Sequence, residues 1–214
     1  MLNTLPNILT LSRIAVIPLV VASFYLPQPW AAWIGTSLFA AACITDWLDG
    51  HFARRFEQVS AFGRFLDPIA DKLLVALVLM MLVAFDRLRM PSLLPALVIL
   101  AREILVSGLR EFLADIRVSI PVSRLAKWKT GIQMVAIGVL LLVTDRPGAQ
   151  LTLHVGEALL WVAALLTIVT GYDYLRAGLK HMADVDHGRA KQKPASGLAS
   201  PRAARPRRTA SRAV

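Results

Sequence analysis

The sequence predicts an all-α integral membrane protein: six transmembrane helices with a polar cavity that faces the cytoplasm. Composition comes first: mean hydropathy is +0.57 and 56% of the 214 residues are hydrophobic, more apolar surface than a soluble chain of this length can hide. Apolar-rich segments then recur at roughly 8–26, 31–53, 65–85, 92–113, 130–146 and 153–175, each near the ~20 residues that span a bilayer core. Finally, the second to fifth segments carry Asp, Arg or Lys near one end, and such ends must face a polar cavity or the interface.

Taken in order, the first segment has no basic run before it and reads as a retained helix, not a cleaved signal. Asn7, Thr10 and Arg13 near its start either cap it, sit at the interface, or close one side of the cavity. The second segment ends with Asp46 and Asp49. The third opens with Asp67 and Asp71 around Pro68, which either kinks the helix or lies in its first turn. Arg102, Glu103 and Arg110 fall on the fourth, and Lys127 and Lys129 at the start of the fifth.

Lys and Arg placement orients the bundle. The turns after segments one, three and five hold Arg87, Arg89 and Arg146, whereas those after two and four, with their flanks, hold Arg54, Arg55, Arg64, Arg117, Arg124, Lys127 and Lys129. By the positive-inside rule both termini and the aspartates of this multi-pass protein are cytoplasmic. Residues 1–182 read as the helical domain and 183–214 as a basic, disordered cytoplasmic tail. That tail has eight Lys and Arg against Asp184 and Asp186 and supplies +6 of the net +10. It reads as a solvated segment or a tether to anionic lipid; nucleic-acid binding lacks aromatic or motif support. The single Cys43 excludes an internal disulfide and says nothing of redox compartment. No Cys/His metal spacing is present.

The chemistry is concentrated in DWLDGHFARRFEQVSAFGRFLDPIADK, or D-x2-D-G-x2-A-R-x8-G-x3-D-x3-D. Residues three and four apart share a helix face, so Asp46, Asp49, Gly50 and Ala53 form one stripe. Ser60, Gly63, Asp67 and Asp71 form another. Two helices joined by a short turn are antiparallel neighbours, and their stripes then face each other. Four uncompensated carboxylates would repel and force protonation; divalent cations remove the conflict, and oxygen-only ligation favours Mg²⁺ or Mn²⁺ over zinc. Two metals fit four aspartates better than one, and a metal pair clamps a phosphoryl group on its attacking and leaving oxygens. The glycines admit a bulky anion close to the backbone, and Arg54 is placed to meet a phosphate oxygen.

These residues resemble the CDP-alcohol phosphotransferase family, whose signature is matched at Asp46, Asp49, Gly50, Ala53, Arg54, Gly63, Asp67 and Asp71. The resemblance implies a six-helix membrane enzyme that moves a phospho-group from a CDP-linked donor to an alcohol and releases CMP. It implies Asp46, Asp49 and Asp67 as ligands of one metal and Asp46, Asp67 and Asp71 as ligands of the second. Asp71 would also be the general base, and Gly50, Arg54 and Ser60 would contact the donor. Homodimers are typical of the family, and the apolar faces of helices three and four are the candidate interface.

Within the family, LPNILTLSRIAVIP, AREILVSGLREFLA and KWKTGIQMVA resemble the members that join CDP-diacylglycerol to sn-glycerol 3-phosphate. Ala126 departs from the pattern, where a glycine would precede Lys127. An anionic acceptor also fits the residues themselves: Arg102, Arg110, Lys127 and Lys129 lie near one cytoplasmic face, and a phosphate needs such cations. Arg102 and Glu103 sit deeper and are candidates for pairing with other helix charges. The competing expectations are a member that uses inositol phosphate as acceptor and, from another class, a divalent-cation transporter. Transport would spread polar groups through the membrane, whereas here they crowd one end.

Overall fold

The computed structural model describes residues 5–56, 61–116, 124–144 and 148–192, with side chains except those of 5–7, 9, 49–56, 61–65, 67, 115, 124 and 183–192. Six helices account for nearly all of it: α1 (Leu5–Ser23), α2 (Trp30–Phe56), α3 (Ala61–Ala84), α4 (Leu93–Asp115), α5 (Arg124–Leu141) and α6 (Ala149–Gln192). The described residues contain no strand. The chain divides into two compact units, 1–178 and 179–214.

The six elements fall where hydropathy puts them, with boundary shifts that have local causes. Helix α5 starts at Arg124 instead of near residue 130, because Arg, Leu, Ala and Lys are good helix formers whatever their polarity. It stops at Leu141. Helix α6 runs on to Gln192, past the boundary at Ala183 that composition suggests. Residues 193–214 lie outside the described residues. Pro68 sits well inside α3, which begins at Ala61, so it is not a first-turn proline; its missing N–H leaves one carbonyl of the preceding turn without its helical partner.

Two stretches are long and apolar enough to cross a membrane, Trp30–Leu48 and Ala149–Met182, and Thr10–Ser23 is a shorter apolar helix. In α3 and α4 the charged residues that make the site, among them Asp71, Lys72, Arg102 and Glu103, interrupt the apolar run.

Helix α3 is the central element of the first unit. It packs on α1, α4 and α5, while α1 also packs on α2 and α2 on α5. Its buried stripe, Leu74, Val75, Val78, Leu79 and Leu82, joins Val20 of α1, Phe24 just beyond its end, Phe39 of α2, Ile99 of α4, Ile137 and Leu140 of α5 and Leu160 of α6 in one core. Small residues let helix backbones approach. A Cβ at Gly35 would lie 2.7 Å from Ser23 Oγ, and one at Gly156 would lie 2.8 Å from Leu140 Cγ. Outward-facing positions carry large apolar side chains, including Leu97, Ile104, Leu151 and Leu165, a surface that suits an apolar solvent.

At the end of the bundle away from the aspartates, Arg87 donates from Nη1 to the Leu141 carbonyl at 2.8 Å. That carbonyl is one of the acceptors a helix C-terminus leaves open. The same guanidinium lies 5.5 Å from the centre of the Phe24 ring, so it ties the α3–α4 turn to the ends of α1 and α5.

Candidate active site

Helices α2 and α3 bring Asp46 and Asp71 onto the walls of the same two cavities. The first, about 330 Å³, is lined on its polar side by Arg13, Asp46, Asp71, Lys127 and Thr130, with Cys43 beside them. The second, about 310 Å³, adds Lys72, Arg102, Glu103 and Arg110 to the two aspartates. The carboxylates therefore stand between a chamber walled by α1, α2, α3 and α5 and one walled by α2, α3 and α4. A third cavity of about 320 Å³, mostly apolar, reaches Asp71 and Glu103 from between α3, α4 and α5.

Each carboxylate reaches its place by helical register. Asp46 is one turn beyond Ala42, a core residue of α2, and Thr45 folds its hydroxyl back to the Ala41 carbonyl. Asp71 is one residue after the fully buried Ala70 and one turn before the Leu74–Val75 stripe. Arg13 comes from α1. Its side chain has no exposure and it donates to Asp46 Oδ1 at 2.8 Å, while Asp46 keeps 42% of its side-chain surface.

The basic residues do not form one patch. Lys127 is exposed and belongs to the first cavity, whereas Arg102 and Arg110 line the second. Lys129 lines neither. Its side chain is 2% exposed and it is paired with Glu103 Oε1. Arg102 lies 3.8 Å from the same oxygen, donates to Thr170 Oγ1 at 3.3 Å, and packs its Cγ 3.0 Å from where a Cβ would stand on Gly171. Arg110 is exposed, with its guanidinium 5.7 Å from the Tyr174 ring centre. Lys72 donates to Ser107, and Ser107 to Glu111, so a polar ladder runs along α4.

Asp49, Gly50 and Arg54 lie on the α2 backbone and Asp67 on that of α3, but their side chains, and all of Ser60, lie outside the described residues. Among the described residues, no three His, Cys, Asp or Glu side chains gather at metal-binding spacing. Asp46 and Asp71 nevertheless share two cavities, and carboxylate oxygen is the donor type a hard divalent cation takes. What is present fits Mg²⁺ or Mn²⁺.

Residues 3–169 match the family described as CDP-alcohol phosphatidyltransferase. The chain belongs to this family. Among similar proteins, one from Rickettsia felis is 50% identical over 179 residues, covering 84% of this chain and 97% of the relative; it is named CDP-diacylglycerol–glycerol-3-phosphate 3-phosphatidyltransferase. A Rickettsia typhi protein of the same name is 51% identical over 82% of this chain and 97% of the relative. More distantly, a cardiolipin synthase (CMP-forming) from Oryza sativa subsp. japonica is 43% identical over 82% of this chain and 57% of the relative.

For a CDP-alcohol phosphatidyltransferase, the site contains two features that the sequence reading did not resolve. Arg13 had several readings, as a cap, an interfacial residue or a cavity wall; the structure gives it Asp46. Glu103 and the Lys72–Ser107–Glu111 ladder were not assigned to the site at all. A signal was present: Glu103, Ser107, Arg110 and Glu111 follow the i, i+4, i+7, i+8 spacing of one helix face.

Proposed function

We propose that this protein transfers the phosphatidyl group of CDP-diacylglycerol to sn-glycerol 3-phosphate, giving phosphatidylglycerophosphate and CMP. The observation that carries the reading is the pair of chambers meeting at Asp46 and Asp71. Two substrates must meet at one phosphorus, and one chamber for each, with carboxylates between, supplies that meeting point. The names of the Rickettsia relatives support the choice of substrates.

In this reading the donor headgroup occupies the chamber beside α2, where Gly50, Arg54 and Ser60 of the motif would hold the CDP moiety, and Lys127 is at hand for a phosphate. Glycerol 3-phosphate enters the other chamber, where Arg102 and Arg110 meet its phosphate. Lys129 acts from behind the wall. Asp71 takes the proton from the acceptor's terminal hydroxyl. The oxygen then attacks the phosphorus attached to diacylglycerol in line, a P–O bond forms as the bond to CMP breaks, and CMP leaves with the electron pair. Asp46, Asp49, Asp67 and Asp71 would hold two divalent cations, Mg²⁺ or Mn²⁺, which when bound neutralise charge on the transferred phosphate. Arg13 holds Asp46 in place through their contact.

The fold fits a multi-pass enzyme of a bacterial inner membrane. All six helices would cross, with both termini and the site on the cytoplasmic side, where Lys and Arg concentrate. Arg87 at the opposite end has a structural post, which removes its conflict with that orientation. The exposed apolar faces of α3 and α4, with Leu73, Met80, Leu97 and Ile104, are suited to a homodimer interface.

The test is turnover by purified protein in detergent with Mg²⁺, CDP-diacylglycerol and labelled acceptor. CMP and labelled lipid should form with glycerol 3-phosphate but not with inositol phosphate. Turnover only with a lipid alcohol such as phosphatidylglycerol would overturn the acceptor while sparing the donor.

A further inference from the structure

Among the described residues, Glu103 is the carboxylate outside the aspartate motif that shares both the polar chamber and the apolar cavity with Asp71. Both of its ionic contacts, to Lys129 and to Arg102, fall on Oε1. Its other oxygen, Oε2, has no partner among the described residues. The carboxylate as a whole keeps 23% of its side-chain surface, against 2% for Lys129. A lysine that deep is costly without a partner, so Lys129 and Glu103 fix each other, with the lysine behind the wall and the carboxylate facing the space. The chamber already holds cations for a phosphate: Arg102 beside Glu103, and Arg110 two turns along the same face. A second anion cannot be what Glu103 receives. An ionised carboxylate only accepts hydrogen bonds, and the donor an uncharged part of a phosphorylated polyol offers is a hydroxyl.

We propose that Glu103 is an acceptor-binding residue whose free carboxylate oxygen accepts a hydrogen bond from the non-reacting hydroxyl of a phosphorylated polyol. Lys129 is then a positioning residue that acts through Glu103. The inference rests on the glycerol 3-phosphate reading given above and deepens it. It assigns recognition of the acceptor's phosphate and of its middle hydroxyl to opposite charges on one helix.

The test compares glycerol 3-phosphate with 3-hydroxypropyl phosphate, which keeps the reacting hydroxyl and the phosphate but lacks the middle hydroxyl. Wild type should favour glycerol 3-phosphate in kcat/KM by about tenfold or more, the range of a hydrogen bond to a charged group. Glu103→Leu combined with Lys129→Met removes both charges of the pair, so neither is left buried alone; it should use the two acceptors about equally, with donor KM unchanged. Lys129→Met alone should erode the preference, and Lys129→Arg should restore it. A wild type that turns over both acceptors equally overturns the inference whatever the variants do, as does a double variant that keeps the preference. A wild type inactive with glycerol 3-phosphate overturns the acceptor assignment and this inference with it, and so is told apart from failure of the inference alone.

Discussion

Arg13 and Asp46 form an asymmetric ion pair: the guanidinium is wholly buried, the carboxylate 42% exposed, and 2.8 Å separates them. If Asp46 is lost, a buried cation loses this partner; if Arg13 is lost, the carboxylate can still reach water. Breaking a buried pair from the side that strands the buried charge costs on the order of 3 kcal/mol, and from the hydrated side much less. Asp46→Ala should therefore lower the unfolding temperature in detergent more than Arg13→Met does. Equal shifts would mean that the difference in burial does not set the cost of breaking the pair.

Asp71→Asn keeps the shape of the side chain and removes its capacity to take a proton. Turnover should fall by at least about a hundredfold, within the range assigned to general acid–base catalysis, while the variant still binds CDP-diacylglycerol. Activity close to wild type would remove Asp71 from the role of base.

Arg110 is exposed, stands over Tyr174 and lines only the chamber assigned to the acceptor. Arg110→Gln should raise KM for glycerol 3-phosphate by roughly tenfold, as loss of one charge-assisted contact implies, and leave KM for the donor alone. A change in donor KM instead would exchange the two chambers.

Chelation should abolish activity, and Mg²⁺ or Mn²⁺ should restore it, because the site offers carboxylate oxygen. Full activity after exhaustive chelation, measured as release of CMP, would exclude the divalent-cation part of the proposal.

Gly156 faces Leu140 so closely that a Cβ would lie 2.8 Å from its Cγ and Cδ2 and 3.4 Å from its backbone nitrogen. Leu140 is fully buried, so relief must come from helix separation. Gly156→Ala should destabilise the protein by about 1–3 kcal/mol without altering either KM, since neither residue lines the two chambers. Thermal unfolding alongside steady-state kinetics would separate the two effects.

Much of this was legible in the chain because a membrane leaves few options. Apolar segments of spanning length located all six helices, and the i, i+3, i+4 spacing singled out Asp46 of α2 and Asp71 of α3, which line the same two cavities. Helix ends were less legible: α5 begins in polar residues whose propensity, not hydropathy, decides their state. The partnership of charges was not legible. Arg102, Lys127 and Lys129 look alike in the sequence, yet one is shared with α6, one faces the first chamber and one is sealed against Glu103. That division depends on which neighbouring helix stands opposite each position, and spacing along one helix carries no such information. Gly171 is a case in point: it makes room for the side chain of Arg102 from a helix far along the chain.

The wall that Asp46 and Asp71 make between two chambers also has a kinetic meaning. With separate berths, the lipid donor need not leave before the soluble acceptor arrives, and no covalent phosphatidyl-enzyme is needed to hold the group between visits. Initial-rate plots at several fixed donor levels should intersect, the pattern of a ternary complex, and parallel lines should not occur. On the proposed assignment of one substrate to each chamber, the bundle is a meeting place for a lipid and a water-soluble molecule, neither of which has to give way to the other.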